Sequence, residues 1–326
     1  MILVTGASGF LGQHLLEALS KNGEAVRAIY RHHRPDLRFQ NITWQAADLL
    51  DTSEVEKMLQ GIDQVYHCAA TVSFDPKDKN KLVRENVAIT ENLVNAALSS
   101  GLRKFVHVSS IAALGRGQAN VANKIVSEKD IFEEGKDNSQ YALGKYLGEM
   151  EVWRGMAEGL NAVIVNPAII LGAGDWNKGS AKLIRVCDEE FPWYTKGMTG
   201  WVDVRDVVQA MTLLMDSDIA NERFILSTGN YHYQDIFTQM AVAIGKKPPH
   251  KFAGKWLTGL VWRLAFLKSK LTGTEATITR ETARTAQQIY RFDNSKFLKA
   301  FPDFQFRSIE ETIQDMAQAF IKDKAR

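Results

Sequence analysis

The chain opens on an arrangement that few folds can accommodate: a strand, a glycine-rich turn and the start of a helix. Met1-Ile2-Leu3-Val4 is a short apolar run, and Thr5-Gly6-Ala7-Ser8-Gly9-Phe10-Leu11-Gly12 carries it into a helical pattern. Such a turn converges several free backbone N–H groups on one point. The positive end of the helix dipole faces the same point, so a pyrophosphate can sit there. Gly6 is expected to permit the tight turn, Gly9 the close approach of a phosphate, and Gly12 the contact of helix with strand. Glycines at turns are often only turns. Here the run follows a strand, leads a helix and begins a βαβ alternation, which is the context that a dinucleotide site requires. Gly6, Ser8, Gly9, Phe10, Leu11 and Gly12 are the first candidate cofactor contacts.

The alternation continues through the first half. Strands are predicted at Ala25–Tyr30, Ile42–Ala46, Gln64–Cys68, Lys104–Val108 and Ala162–Val165, with helices between them near Leu11–Ser20, Ser53–Gln60, Asn80–Ser99 and Gln140–Glu158. Asp51 or Ser53 can start one helix, and Gly101 follows the end of another. This order predicts an α/β fold, a doubly wound parallel sheet with helices on both faces. After Pro167 the rhythm changes: Gly172-Ala173-Gly174 and Gly179 mark a loop, and Phe191-Pro192-Trp193-Tyr194 is rich in rings. A strand at Gly200–Val204 is predicted to meet Asp206 as the N-cap of a helix through Met215. The remainder, from about Ser227, reads as mostly helical, a smaller lobe over the carboxyl ends of the sheet.

Composition narrows the function. With 326 residues, 45% of them hydrophobic, the chain can bury a large core or two lobes. A net charge of +2 with scattered Lys and Arg gives no argument for nucleic acid or an anionic membrane. Cys68 and Cys187 stand far apart without metal-ligand spacing, which fits a reducing compartment and a packing role. His67 and His107 fall in or beside strands and are expected as satisfied core histidines, and no metal site is predicted. The nucleotide-binding strand starts at Met1, and no window reaches the ~18 uninterrupted apolar residues of a membrane span. The expectation is a soluble, cytoplasmic protein without a targeting peptide.

Tyr141 and Lys145 are four apart in a helical pattern and so project from one face. An ammonium beside a phenol favours phenolate and lowers a pKa that is about 10 when unperturbed. Such a tyrosine can pass a proton to or from a carbinol oxygen. Among eight tyrosines the spacing also arises by chance, so the pair alone does not decide. The strand Lys104–Val108 ends in Ser109-Ser110, where a hydroxyl can donate to the oxygen that the tyrosine protonates. Two serines after a strand are otherwise ordinary turn residues.

Taken together, Thr5-Gly6-x-x-Gly9-x-x-Gly12, Val65-Tyr66-His67-Cys68-Ala69-Ala70, Asn86-Val87, Val108-Ser109-Ser110, Tyr141-x-x-x-Lys145, Asn166-Pro167 and Val202-Asp203-Val204-Arg205-Asp206-Val207 resemble, in order, the extended short-chain dehydrogenases/reductases of the NAD-dependent epimerase/dehydratase family. The likeness covers Met1 to about Ala210, and Tyr290-Arg291-Phe292-Asp293-Asn294-Ser295-Lys296 extends it nearly to the end. The resemblance implies a Rossmann-type domain over 1–170 with 199–228 returning to it, and a substrate-binding lobe from 171–198 and 229–326. It implies Ser110, counted back from Gly115, as the catalytic serine, and Tyr141 as the acid/base. Lys145 would lower the tyrosine pKa and bond the nicotinamide ribose. Asp48 and Leu49 would face adenine, and Ala69, Ala70, Thr71, Pro167, Ala168, Ile169 and Ile170 would line the dinucleotide.

Cofactor choice turns on the end of the second strand, where NAD sites usually carry a carboxylate. This strand ends in Tyr30-Arg31, with Arg34 close behind and no acid until Asp36. A guanidinium suits a 2′-phosphate, so NADP(H) is the expected cofactor and NAD(H) the alternative; a solvated loop arginine is the plain reading.

Family members reduce, epimerise or dehydrate with the same three residues. Sugar dehydratases of the family carry an acid pair after the catalytic hydroxyl residue; here Ile111-Ala112 argues against dehydration. Nucleotide-sugar epimerases commonly place an arginine before the strand corresponding to Trp201–Val204. Here that position reads Thr199-Gly200, with Lys196 as a substitute. Trp176, Trp193, Tyr194 and Trp201 could wall a flat or apolar ligand, or simply pack between lobes. The balance resembles the branch of dihydroflavonol reductases, cinnamoyl-CoA reductases and 3β-hydroxysteroid dehydrogenases. A hydride would then pass between nicotinamide and a small carbonyl or alcohol substrate. The rival readings are a nucleotide-sugar epimerase that retains its cofactor and a non-enzymatic NADP(H)-binding redox sensor. The basic apolar stretch 255–270 is expected to pack or close a pocket rather than lie on a membrane. Monomer and homodimer both stay open.

Overall fold

The computed structural model describes residues 1–70, 79–115, 125–133, 135, 139–254, 263 and 280–325. Thr71 and all of the 255–270 stretch except Arg263 lie outside them.

Strand β1 (Ile2–Thr5) is buried along its whole length, as its apolar run requires for a strand covered on both faces. Helix α1 (Phe10–Lys21) starts at Gly9 and turns Leu11, Leu15, Leu16 and Leu19 inward, the spacing of a single helical stripe. Strands β2 (Val26–Tyr30) and β3 (Ile42–Ala46) follow. Helix α2 (Thr52–Leu59) is capped by Asp51, whose carboxylate accepts from the backbone N–H groups of Ser53 and Glu54. Next come β4 (Gln64–His67), α3 (Lys79–Ser100) and β5 (Lys104–Val108). The two-residue β6 (Ile125–Val126) precedes α4 (Gln140–Ala157), which is capped by the Ser139 hydroxyl. Strands β7 (Ala162–Pro167) and β8 (Ile169–Leu171), helix α5 (Lys182–Asp188), and strands β9 (Trp193–Tyr194) and β10 (Met198–Asp203) lead to α6 (Val204–Asp216). Strands β11 (Glu222–Leu226) and β12 (Gly229–His232) and helix α7 (Tyr233–Ala243) follow. The later described helices are Arg280–Thr285, Ser295–Ala300 and Ile309–Lys324.

In the described residues seven strands form one sheet in the order β3-β2-β1-β4-β5-β7-β11, every pair parallel. This is the expected doubly wound sheet. The chain reverses its direction of growth between β1 and β4, and the crevice at their carboxyl ends is where such sheets bind ligands. Helices α1 and α6 pack on one face, and α2, α3 and α4 on the other. A three-stranded sheet, β8-β10-β12, stands apart from the large one. Its Trp201 is fully buried in a third core with α5, α7 and the helix Ile309–Lys324.

Two expectations change here, the cap of α6 and the surroundings of His107, and one choice left open by the sequence is decided for two of four rings. Strand β10 ends one residue earlier than predicted, and the cap of α6 is Asp203, which accepts from the Arg205 N–H, rather than Asp206. Asp206 lies in the first turn, buried, and its carboxylate accepts from the Arg307 backbone N–H at 2.8 Å and from the Arg307 guanidinium. A second carboxylate three residues downstream mimics a cap in sequence. Of the four rings that could wall a ligand, two are packing: Trp201 bonds the Tyr231 carbonyl, and Trp176 stacks edge-on against Phe320. His107 is buried but has no partner for either ring nitrogen among the described residues, unlike a satisfied core histidine. No helix among the described residues is long and apolar enough to cross a membrane.

Candidate active site

The glycine turn is built by sterics. Gly6 has φ +65°, a left-handed conformation that glycine alone adopts freely, and a Cβ there would lie 2.6 Å from the Ala69 backbone nitrogen. At Gly12 a Cβ would come within 2.2 Å of the Gly6 carbonyl oxygen, so the helix lies directly on the turn. The Gly9 N–H donates to the same carbonyl at 3.0 Å. Ser8 and Gly9 are exposed at the mouth of this turn, whereas the Leu11 side chain is turned into the core. The half-buried Phe10 ring fills the space over Gly172 and Gly174, and His14 behind it donates to the Ala173 carbonyl at 2.9 Å. Sequence reasoning missed this tie between α1 and the 172–174 loop, although the two glycines facing a ring were its signal.

The cofactor candidates gather at the carboxyl ends of the strands. Ala69 and Ala70 follow β4, and Pro167 ends β7. Ala168 donates to the Leu226 carbonyl, and Ile169 and Ile170 enter β8 beside β10. Leu49 differs: its side chain is buried in the core, and its carbonyl accepts from Asn92. Arg31 and Asp48 are brought together, with Nη2 3.3 Å from Oδ2 and both side chains partly exposed. Lys196, the substitute phosphate clamp, lies over the Phe252 ring.

Helix α4 carries Tyr141 in its first turn and Lys145 one turn on. Tyr141 packs against a small cluster containing Ala112, two residues beyond Ser110. Lys145 is 8% exposed, and its ammonium donates to the Val108 carbonyl at 3.0 Å. Ser110 caps a short 3₁₀ turn, Ile111–Ala113, its hydroxyl accepting from the Ala112 N–H. Burial pulls the Lys145 ammonium down to about 8, against the opposing pull of Cys68 and Glu149. The Tyr141–Lys145 pair is thus held one helical turn apart, with Lys145 anchored to the strand that leads to Ser110.

Behind the pair, His67 is held between the hydroxyls of Thr5 and Thr90, and burial with the Lys145 charge takes its imidazole down to about 3. Burial likewise keeps His107 neutral and pushes the Cys68 thiol up to about 12. A cavity of about 10 Å³, close to the size of a single water, lies between Lys145, His107, Asn86 and Thr90. Among the described residues no cluster of His, Cys, Asp and Glu could hold a metal ion.

A parallel sheet with a glycine turn at its switch point defines a Rossmann-type nucleotide-binding protein. The chain belongs to the NAD-dependent epimerase/dehydratase family, whose model matches residues 2–226, and so to the extended short-chain dehydrogenases/reductases, a family of NAD(P)-dependent reductases and epimerases. It is 33% identical to sterol demethylase protein B of Methylococcus capsulatus over 69% of either chain. It is 28% identical to cinnamoyl-CoA reductase 1 of Petunia hybrida, over 72% of this chain and 75% of that one. Among solved structures, that of gox2253 superposes with a TM-score of 0.83 at 26% identity, covering 99% of this chain and 98% of the other.

Proposed function

We propose that this protein is an NADP(H)-dependent reductase of a small, partly apolar carbonyl substrate, working through Tyr141, Lys145 and Ser110. The observation that carries the reading is the Lys145 ammonium. It is enclosed, bonded to the carbonyl two residues before Ser110, and one helical turn from Tyr141. The relatives named as reductases support reduction over epimerisation.

The turn fits a dinucleotide, since Gly6 takes the left-handed conformation that a tight turn needs, Gly12 lets α1 sit directly on it, and Ser8 and Gly9 stay exposed at its mouth. Gly6, Ser8, Gly9 and Phe10 would hold the pyrophosphate, Arg31 the 2′-phosphate, and Ala69, Ala70 and Pro167–Ile170 the nicotinamide half. When bound, the nicotinamide supplies or accepts the hydride. Tyr141 gives its phenolic proton to the substrate oxygen, and the Ser110 hydroxyl donates to the same oxygen, so both stabilise the developing alkoxide. Lys145, as a cation, favours the phenolate left behind. We assign 1–170 and 199–228 to the dinucleotide, and 171–198 and 229–326 to the substrate.

NADPH consumption with a panel of ketones, aldehydes and acyl-CoA thioesters tests this directly. Tyr141→Phe is expected to keep NADPH affinity within about twofold while losing at least 10²-fold in kcat, the usual scale of general acid catalysis. Interconversion of sugar nucleotides without net oxidation, or near-normal turnover in Tyr141→Phe, would overturn the reading.

A further inference from the structure

Glu149 sits one turn beyond Lys145 on α4, and at 1% exposure its carboxylate is enclosed. Its Oε2 accepts from the Ser109 hydroxyl at 2.6 Å and the Asn166 amide at 2.8 Å. Its Oε1 accepts from the Arg223 guanidinium at 2.8 Å and the Trp153 indole at 3.2 Å. Those donors come from just beyond β5, from β7, from β11 and from the next turn of α4 itself. The Asn166 amide also donates to the Ser110 carbonyl at 3.0 Å. One carboxylate thus connects the helix that carries Tyr141 and Lys145 with the strand ends that carry Ser110. A buried ion pair contributes little stability beyond a well-packed apolar residue of similar shape. What this one supplies is register between α4 and the sheet.

We propose that Glu149 is the positioning residue of the site, setting the phase and depth of α4 so that Tyr141 and Lys145 face Ser110; the proposal rests on the reductase reading above. Rotating a helix by a fraction of a turn moves a phenolic oxygen by more than 1 Å, and a displacement of about 1 Å costs on the order of 10²-fold in rate. The carboxylate has a second effect. The groups around Lys145 are His67 at the end of β4 and Cys68 just beyond it, His107 on β5, Asn86 and Thr90 on α3, and Glu149 on α4, whose Oε1 carries the Arg223 guanidinium of β11. Burial works against charge on the two imidazoles and the thiol; Cys68 and Glu149 both favour the Lys145 ammonium, and Glu149 is the carboxylate among these groups. Without it the ammonium loses its proton at lower pH, and the phenol titrates higher. Direct repulsion between Glu149 and Tyr141, two turns apart, is weaker than the effect of the ammonium one turn away.

Glu149→Gln keeps the shape and removes the charge. The expected result is a kcat about 10²-fold lower, with KM and NADPH Kd within about twofold of wild type. The pH midpoint of kcat for alcohol oxidation should rise by about one unit. Asn166→Ala should lose part of the same activity. The double variant should lose no more than Glu149→Gln, because both cut one connection. A folded Glu149→Gln protein with kcat within about threefold of wild type, or additive losses in the double variant, overturns the proposal. If Glu149→Gln does not fold, Ser109→Ala and Asn166→Ala cut the links singly, and full activity in both overturns it. Should the wild type reduce no carbonyl, the reductase reading fails by itself. Glu149 is then judged by the ultraviolet titration of the Tyr141 phenolate, taken as the difference from a Tyr141→Phe background. A midpoint raised by about one unit in Glu149→Gln upholds the positioning role, and an unchanged one sinks it.

Discussion

Arg31 and Asp48 show how much a single side chain can be asked to do. In sequence they are separate signals, one for a 2′-phosphate and one for adenine; in the fold their charged groups are 3.3 Å apart. A partly exposed pair of this kind is worth well under about 1 kcal/mol, so a phosphate dianion can compete for the guanidinium. Arg31→Ala is expected to weaken NADP(H) binding about tenfold, or ~1.4 kcal/mol, while changing NAD(H) binding less than about twofold. Asp48→Asn should tighten NADP(H) a few-fold by removing a repelling carboxylate. Fluorescence titration with both nucleotides measures this, and equal losses for the two nucleotides in Arg31→Ala would remove the assignment. Arg31 was legible because β2 ends where the sequence predicts. Its partner was not, because β3 lies between them in the chain and only the sheet brings their ends together. Glu149 was hidden for a related reason. Nothing in the order Lys145-x-x-x-Glu149 says that donors from β7, β11 and the residue after β5 converge on it.

Elements depend on their junctions, and the tightest is the seat of α1 on the glycine turn. A methyl group at Gly12 would meet a backbone carbonyl, which cannot swing aside as a flexible side chain can. Gly12→Ala should therefore shift α1 and destabilise the fold by about 1–3 kcal/mol, the usual cost of overpacking. It should also weaken dinucleotide binding at least tenfold, since the N–H groups that meet the pyrophosphate move with the helix. Urea unfolding and NADPH titration of the same variant check both. A stable protein with unaltered affinity would show that the turn tolerates displacement. Most helix starts were readable because caps are local chemistry, as Asp51 at α2 demonstrates. Asp203 and Asp206 were confused because both are carboxylates at a strand-to-helix junction. Choosing between them required knowing that Arg307, about a hundred residues away, claims the second.

At the scale of the molecule, burial of imidazoles should make the protein acid-sensitive. His67 protonates near 6.5 when unfolded and at about 3 when folded, and His107 is displaced in the same direction by burial. Between those values the unfolded chain holds more protons. Stability is therefore full above about pH 6.5 and declines as pH falls toward 3, by up to about 1.4 kcal/mol per pH unit for each imidazole. His107→Leu should flatten the acid slope by about half. It should cost little at neutral pH, because neither ring nitrogen has a partner among the described residues to lose. Urea midpoints at pH 7 and 5 for both proteins test this; an unchanged slope in the variant would show that other groups govern the acid response.

By itself the amino-acid sequence determined the alternation of strands and helices, the glycine turn and the Tyr141–Lys145 spacing. All three are written in contiguous residues and need only local sterics and periodicity. The fold decided what depends on residues far apart in the chain: β10 joining a small sheet of its own with β8 and β12, Trp201 becoming core rather than a pocket wall, Arg31 meeting Asp48, and a carboxylate on α4 collecting donors from β7, β11 and the residue after β5. Hydrogen bonds and burial act over a few ångströms, and until the sheet assembles nothing along the chain records which distant groups will come within that range.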